Sequence, residues 1–235
     1  MRLNKEVILN DALIDCWKEC LQWSEFEKKR NEVDQFNKTS KYIKQGIAMG
    51  ATRMGLTHPG PYEQAAALVQ IFMDGTVAVS IGGIEMGQGL NTKCLQVASR
   101  ALGIPISLIT IIDASTDKTC NTPETGGSQG ADIHGRAIQM CCEKLMAGLR
   151  PILKEEPDWE KAVMIAYHMR LPLQASEHMR IDREKHGIAL DSSTYHTSGA
   201  ACVVSQIDYR TGEQQVREHF MLLFYPFFIS HSCVY

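Results

Sequence analysis

The chain has 235 residues, 44% hydrophobic and 22% charged, with a formal net charge of -3. That is an ordinary globular composition, enough for one substantial domain or two small ones, and the weak negative charge gives no reason to expect nucleic acid or an anionic membrane as partner. No apolar run reaches the ~18 residues of a membrane span, and the mixed opening MRLNKEVILN lacks the apolar stretch of a signal peptide, so the expected location is cytoplasmic. The 8 cysteines include no Cys-x-x-Cys pair, which argues against zinc and cluster sites and for reduced, mostly buried thiols.

In chain order, residues 10–38 read as helical, because Leu13, Cys16, Trp17, Cys20 and Leu21 recur at helical spacing behind Asn10 as an N-cap. The charged run Glu25 to Glu32 is either a solvated face or a break. From Tyr42 onward Gly46, Gly50, Gly55, Pro59, Gly60 and Pro61 punctuate short apolar pieces, which predicts strands and turns. Residues 65–73 and 76–81 are β-prone and meet at Asp74-Gly75, a strong hairpin signal. The glycine-rich run GGIEMGQGL leads into a helix over 90–102, stopped by Gly103 and Pro105. A strand over 106–112 and a polar loop over 113–127 follow, then TGGSQG and a helix from about 129 to 149 that stops at Pro151. Asp158 caps a helix over 159–168 with Trp159, Val163 and Tyr167 inward, and strands at 199–209 and 213–217 join at Arg210-Thr211-Gly212. This mixed order predicts an α+β fold with mixed sheets and packed helices. The tail from Phe220 is apolar and shows no alternation.

The two glycine-rich loops carry what chemistry the sequence shows. Gly82, Gly83, Gly87 and Gly89 allow close backbone approach to a ligand, and the helix behind them begins with outward amides that attract anions. Gln88 adds an amide that both donates and accepts, suiting a heterocycle better than a bare phosphate. Thr125, Gly126, Gly127, Ser128, Gln129 and Gly130 repeat the construction with two hydroxyls. From the residues alone, the loops are either a cradle for a phosphate-bearing ring system or two glycine turns that simply open helices. Neither the dinucleotide fingerprint nor the P-loop is complete: Thr92 stands where a third glycine would be and Gln88 where a lysine would be. Glu85 reads as a general base or a solvated loop carboxylate, and His134 as a surface or hydrogen-bonded histidine rather than a catalytic one. His168, His178, His186 and His196 lack metal-ligand spacing, Cys141-Cys142 reads as core packing, and Ser128 lacks a nucleophile elbow.

The run GGIEMGQGLNTKCLQVASRALGIP resembles the stretch of xanthine dehydrogenases and aldehyde oxidases that contacts molybdopterin. TGGSQGADIHGRA resembles the segment of these molybdenum hydroxylases that opens a long helix, and EVDQFN, ALVQIFMDGTV, DWEKAVMIAYHMRLPLQASEH and SQIDYRTGE are similar to the family in the same order. The resemblance spans roughly residues 10–217. It implies a helical lead-in over 1–40, a partial molybdopterin-binding domain over 41–219 and a tail over 220–235 that does not match.

The resemblance further implies that Gln88 bonds the pterin, that Met86 contributes a backbone contact, and that Thr125, Gly127, Ser128, Gln129 and Gly130 form a second cofactor loop. Several members carry a hydroxyl where Gly130 stands, so any such contact is here lost or made by backbone. The implied reaction is hydroxylation of a small-molecule aldehyde or N-heterocycle, with electrons leaving through 2Fe–2S clusters to FAD in a homodimeric parent. The family's catalytic glutamate motif, its Gly-Gly-Gly-Phe-Gly-Gly loop, its cluster cysteines and its flavin domain have no counterpart in these residues. No catalytic or metal-ligating residue is therefore assigned, and the chain alone is expected to be inactive. Two other readings stand beside this one: a truncated product with at most a subunit-interaction role, and an unrelated phosphate- or nucleotide-binding module.

Overall fold

The computed structural model describes residues 12–56, 63–180 and 195–224. They fall into two compact units, one built from residues 12–56 and 195–224 and the other from residues 63–180. Helices and sheets are mixed in both, which is the α+β class that the element order predicts.

The first unit packs α1 (Leu13–Trp23) and α2 (Phe26–Thr39) with a three-stranded antiparallel sheet of β1 (Ile43–Leu56), β6 (Tyr195–Asp208) and β7 (Gln214–Phe224), with β6 central. The single helix expected over 10–38 is two helices. Glu25 takes a left-handed conformation, φ 48°, and breaks the chain there; Ala12, not Asn10, precedes α1, and Asn10 lies outside the described residues. The glycine-punctuated stretch is also one long strand rather than short pieces with turns. β1 pairs with β6 along its whole length, from Ile43 opposite Asp208 to Leu56 opposite Tyr195. The continuous ladder to β6 pairs the inward-pointing backbone groups along the whole of β1 and overrides the local weakness of Gly46, Gly50 and Gly55. Pro59, Gly60 and Pro61 lie outside the described residues.

Cys16 and Cys20 of α1 pack on Ala200 and Cys202 of β6, with Phe220 and Leu222 of β7 beside them. The start of the apolar tail is therefore strand, and it does alternate: Phe220 and Leu222 join the core while Met221 and Leu223 are exposed. Sequence patterning misses this because the outward positions are apolar too. Residues 225–235 lie outside the described residues.

The second unit holds β2 (Gln64–Ile71), β3 (Val77–Ile81), α3 (Leu90–Leu102), β4 (Ile109–Asp113), α4 (Gly130–Glu155), α5 (Trp159–His168) and β5 (Gln174–Arg180). Its sheet runs β4-β3-β2-β5; β3 and β4 are parallel, as the α3 crossover requires, and the other pairs are antiparallel. The hairpin turns at Asp74-Gly75 as predicted, with the Phe72 N–H donating to the Thr76 carbonyl at 2.8 Å. The Trp159 indole N–H then donates to the Gly75 carbonyl at 2.8 Å, tying the start of α5 to that turn.

Buried residues of α4, among them Ile138, Cys141, Cys142, Leu145 and Leu149, pack with Ala67, Val69, Val79 and Ile81 of the sheet in one core. Each such aliphatic side chain contributes about 1.5–3 kcal/mol on burial. α4 continues through Pro151 to Glu155 instead of stopping at the proline. A proline in a helix costs about 3 kcal/mol, but Ile152 beyond it is buried, so packing of the continued helix offsets that cost. The predicted strand at 106–112 begins with a 3-10 turn, Ile106–Leu108, before β4. In α5 the inward residues are Ala162, Val163 and Ala166, with Trp159 partly buried, whereas Tyr167 is exposed. Asp158 caps α5, accepting from the Lys161 N–H at 3.0 Å. Asp158→Ala is expected to lower stability by about 1 kcal/mol, read as a fall in the urea midpoint at unchanged slope.

No helix among the described residues is long and apolar enough to cross a membrane.

Candidate cofactor cradle

Two loops meet at the end of the second unit's core where α3 and α4 begin. Residues 82–89 link β3 to α3, and residues 125–129 lead into α4. The Ile84 N–H donates to Thr125 Oγ1 at 3.1 Å, joining the first loop to the second. A Cβ on Gly130, the first residue of α4, would stand 3.8 Å from Cδ1 of Leu90, the first residue of α3. The two helix N-termini are thus neighbours.

The first loop is held by its own side chains. Glu85 Oε1 accepts from the Gly87 and Gly89 N–H groups, each at 2.9 Å, and its Oε2 from the Asn91 N–H at 2.9 Å. Glu85 is neither a base nor a merely solvated carboxylate: it fills the amide nest at the start of α3. The N–H groups of Asn91 and Gly89 hold its carboxyl below the usual carboxylate range. This depressed value makes its contribution present at neutral pH and lost as pH falls through the folded value. Glu85→Ala is expected to raise the hydrogen-exchange rates of the Gly87, Gly89 and Asn91 amides and to leave those of β2 unchanged.

Gln88 braces the same loop. Its Oε1 accepts from the Met86 N–H at 2.6 Å and its Nε2 donates to the Ile84 carbonyl at 2.9 Å. An amide has a second lone pair and a second N–H, so Gln88 is oriented by the loop and keeps one donor and one acceptor site. The Met86 side chain stands out from the loop, 66% exposed.

In the second loop Gly127 and Ser128 are both left-handed, φ 58° and 59°. For serine that conformation is strained, the kind of backbone outlier found at ligand sites. Ser128 is exposed, whereas Gln129 turns its side chain inward and is 6% exposed. The Gln129 carbonyl accepts from the Asp132 and Ile133 N–H groups at 3.0 and 3.1 Å and so starts α4. Of the seven residues expected to touch a cofactor, six lie on the two joined loops and Gly130 opens α4, with Gln129 the most enclosed of them.

Beneath the loops is a feature that sequence reading misses. His134 is neither at the surface nor hydrogen-bonded: it is 2% exposed, and its Nδ1 is buried without a hydrogen-bond partner. Burial pushes its imidazole down to about 4. A Cβ on Gly83 would stand 2.6 Å from His134 Nε2 and 2.7 Å from Leu90 Cδ2, and one on Gly82 would fall inside the Thr122 side chain. Both positions require glycine because the chain passes between two packed side chains. The Gly-Gly doublet directly after a buried strand was the signal available in the sequence, but it does not say which residues close on it.

The remaining sulfur and acid groups do not form a metal centre. Burial pushes the Cys94 and Cys142 thiols up to about 12, and among the described residues no group of three His, Cys, Asp or Glu side chains is placed to hold a metal. The site fits a pterin on its own terms. The oriented Gln88, the Thr125 and Ser128 hydroxyls and the start of α4 suit a flat, hydrogen-bonding heterocycle that carries a phosphate.

Comparison with known proteins agrees. The family model of the molybdopterin cofactor-binding domain matches residues 19–223, so the first residues of the apolar tail lie inside the match. The chain is 50% identical over 210 residues to a probable aldehyde oxidase of Caenorhabditis elegans, covering 89% of this chain and 17% of that protein. It is 43% identical over 216 residues to aldehyde oxidase 2 of Macaca fascicularis, covering 88% of this chain and 16% of that protein. The chain therefore spans 16–17% of the length of these relatives. The aldehyde oxidoreductase of Desulfovibrio gigas shares its fold with a TM-score of 0.72 at 19% identity, over 93% of this chain and 24% of that one. That of Desulfovibrio desulfuricans does so with a TM-score of 0.68 at 22% identity, over 90% and 23%. The chain belongs to the molybdopterin cofactor-binding domain family, with aldehyde oxidases among its relatives.

Proposed function

We propose that this chain supplies one wall of the molybdopterin site of a cytoplasmic molybdenum hydroxylase of the aldehyde oxidase or xanthine dehydrogenase type. The observation that carries the reading is the junction of the two glycine-rich loops through the Ile84 N–H and Thr125 Oγ1. Gln88 and the Met86 backbone face the pterin ring. Thr125, Gly127, Ser128, Gln129 and Gly130 hold its other end, with the phosphate at the start of α4. Glu85 supports this polarity, because its carboxylate already fills the amide nest of α3 and repels a second anion there.

When bound, the cofactor supplies the redox-active metal at which a small-molecule aldehyde or N-heterocycle is hydroxylated. The residues of this chain bind and orient it. The whole enzyme adds 2Fe–2S clusters and FAD and works as a homodimer, and this chain alone turns over no substrate. Free thiols at all the described cysteines accord with a reducing compartment.

The test is pterin retention. The full chain, produced in cells that make molybdopterin, is expected to carry pterin, measured as its fluorescent oxidation product. Gln88→Ala and Ser128→Ala are each expected to lower that content about tenfold, the effect of one lost hydrogen bond to a ligand. Retention of ATP but not of pterin would instead support a nucleotide-binding module.

A subunit-interaction role has one observation of its own. The face of the first unit's sheet opposite α1 exposes Val203, Met221 and Leu223. Sedimentation of the purified chain as a monomer that also fails to capture a full-length aldehyde oxidase would remove this second reading.

A further inference from the structure

His134 is a histidine whose presence stability does not explain. It lies within the first turns of α4, buried, with Nδ1 lacking a hydrogen-bond partner. A buried polar group without a partner is unfavourable, and replacing it with an apolar side chain of similar volume is neutral or stabilising. Sites where local chemistry opposes stability are expected where a residue serves a ligand instead. The Nε2–Cδ2 edge of the ring faces Gly83, at the root of the first loop, while Thr122 closes on Gly82 next to it. The two-glycine step that launches the loop is therefore clamped between a helix and the segment that leads to the second loop.

We propose that His134 is a positioning residue of the pterin cradle. Its neutral ring fixes the height of the Gly82–Gly83 step against α4, and its Nε2, on the edge that faces Gly83, bonds the Gly83 peptide when the pterin is seated. The loop beyond that step carries Met86 and Gln88, so a shift at its root moves both groups together. His134 itself touches no substrate; it acts through the backbone of the loop. The inference rests on the reading of the loops as a molybdopterin site.

The test uses the full 235-residue chain made in molybdopterin-producing cells, with pterin content and urea midpoint measured on the same samples. His134→Leu is expected to keep or raise the urea midpoint while pterin content falls about tenfold, as for one lost hydrogen bond. His134→Gln, whose longer side-chain amide reaches where Nε2 stands, is expected to keep most of the pterin that His134→Leu loses. A purely structural role predicts that midpoint and pterin content fall together. That result, unchanged pterin in His134→Leu, or a loss in His134→Gln as large as in His134→Leu, would each overturn the inference. A wild-type chain that carries no pterin would overturn the underlying reading of the site, and the inference with it.

Discussion

Ile138→Ala is expected to cost about 2–5 kcal/mol of stability, the range for cutting a large aliphatic side chain to alanine inside a close-packed core. Ile138 is 0% exposed in α4, in one core with Val69, Val79 and Ile81 of the sheet. Domains of this kind are stable by only about 5–15 kcal/mol in total, so the loss is a large part of the whole. In urea titration the midpoint should fall while the slope stays constant, because the surface exposed on unfolding is nearly unchanged. The effect should also reach the cradle, since α4 is the element that presents Gly130 and backs the first loop with His134. Pterin content should therefore fall in this variant in proportion to the unfolded fraction, with no separate loss in the folded molecules. An unchanged midpoint would show that the core relaxes around the cavity and that α4 is less firmly anchored than its burial indicates.

The second large effect is acid sensitivity. Burial lowers the His134 imidazole from 6.5 to about 4. Between those values the unfolded chain binds a proton that the folded chain does not. Stability therefore falls as pH drops from about 6.5 towards 4, and levels off, for this group, below 4. The span corresponds to about 3 kcal/mol. Glu85, Asp74 and Asp208 have carboxyls held below their ordinary values, each chiefly by hydrogen bonds: from the Asn91 N–H, from Thr76 and from Arg210, respectively. Their contributions are lost at lower pH, as carboxylates protonate. Urea midpoints measured at pH 7, 6 and 5 should fall steadily in the wild type, and the fall should be much smaller in His134→Leu. An equal pH dependence in the two proteins would show that His134 is not the group responsible.

Much of the fold was legible in the sequence wherever local rules and tertiary packing agreed. The Asp74-Gly75 hairpin, the helix over 90–102 with its glycine stop and the Asp158 cap are set by turn chemistry and periodicity within a few residues, and each stands where it was expected. The failures came where distant partners decided. β1 is continuous because β6, some 150 residues away in the chain, pairs with it throughout. α4 runs through Pro151 because Ile152 has a core to enter. Phe220 and Leu222 read as part of a featureless tail until α1 and β6 give them a core to face.

The site divides in the same way. The two glycine-rich loops, their position ahead of helices and the identity of Gln88, Thr125 and Ser128 came from the sequence alone, because glycine spacing and side-chain chemistry are local properties. Only the tertiary structure brought Thr125 to the backbone of the first loop, turned Glu85 into the filler of its own helix nest, and placed His134 beneath Gly83. These are contacts between residues that are far apart in the chain or oriented by a particular backbone path. What began as a pair of permissive loops is thus a joined pair with a defined floor, and that floor is set by packing that no local pattern encodes.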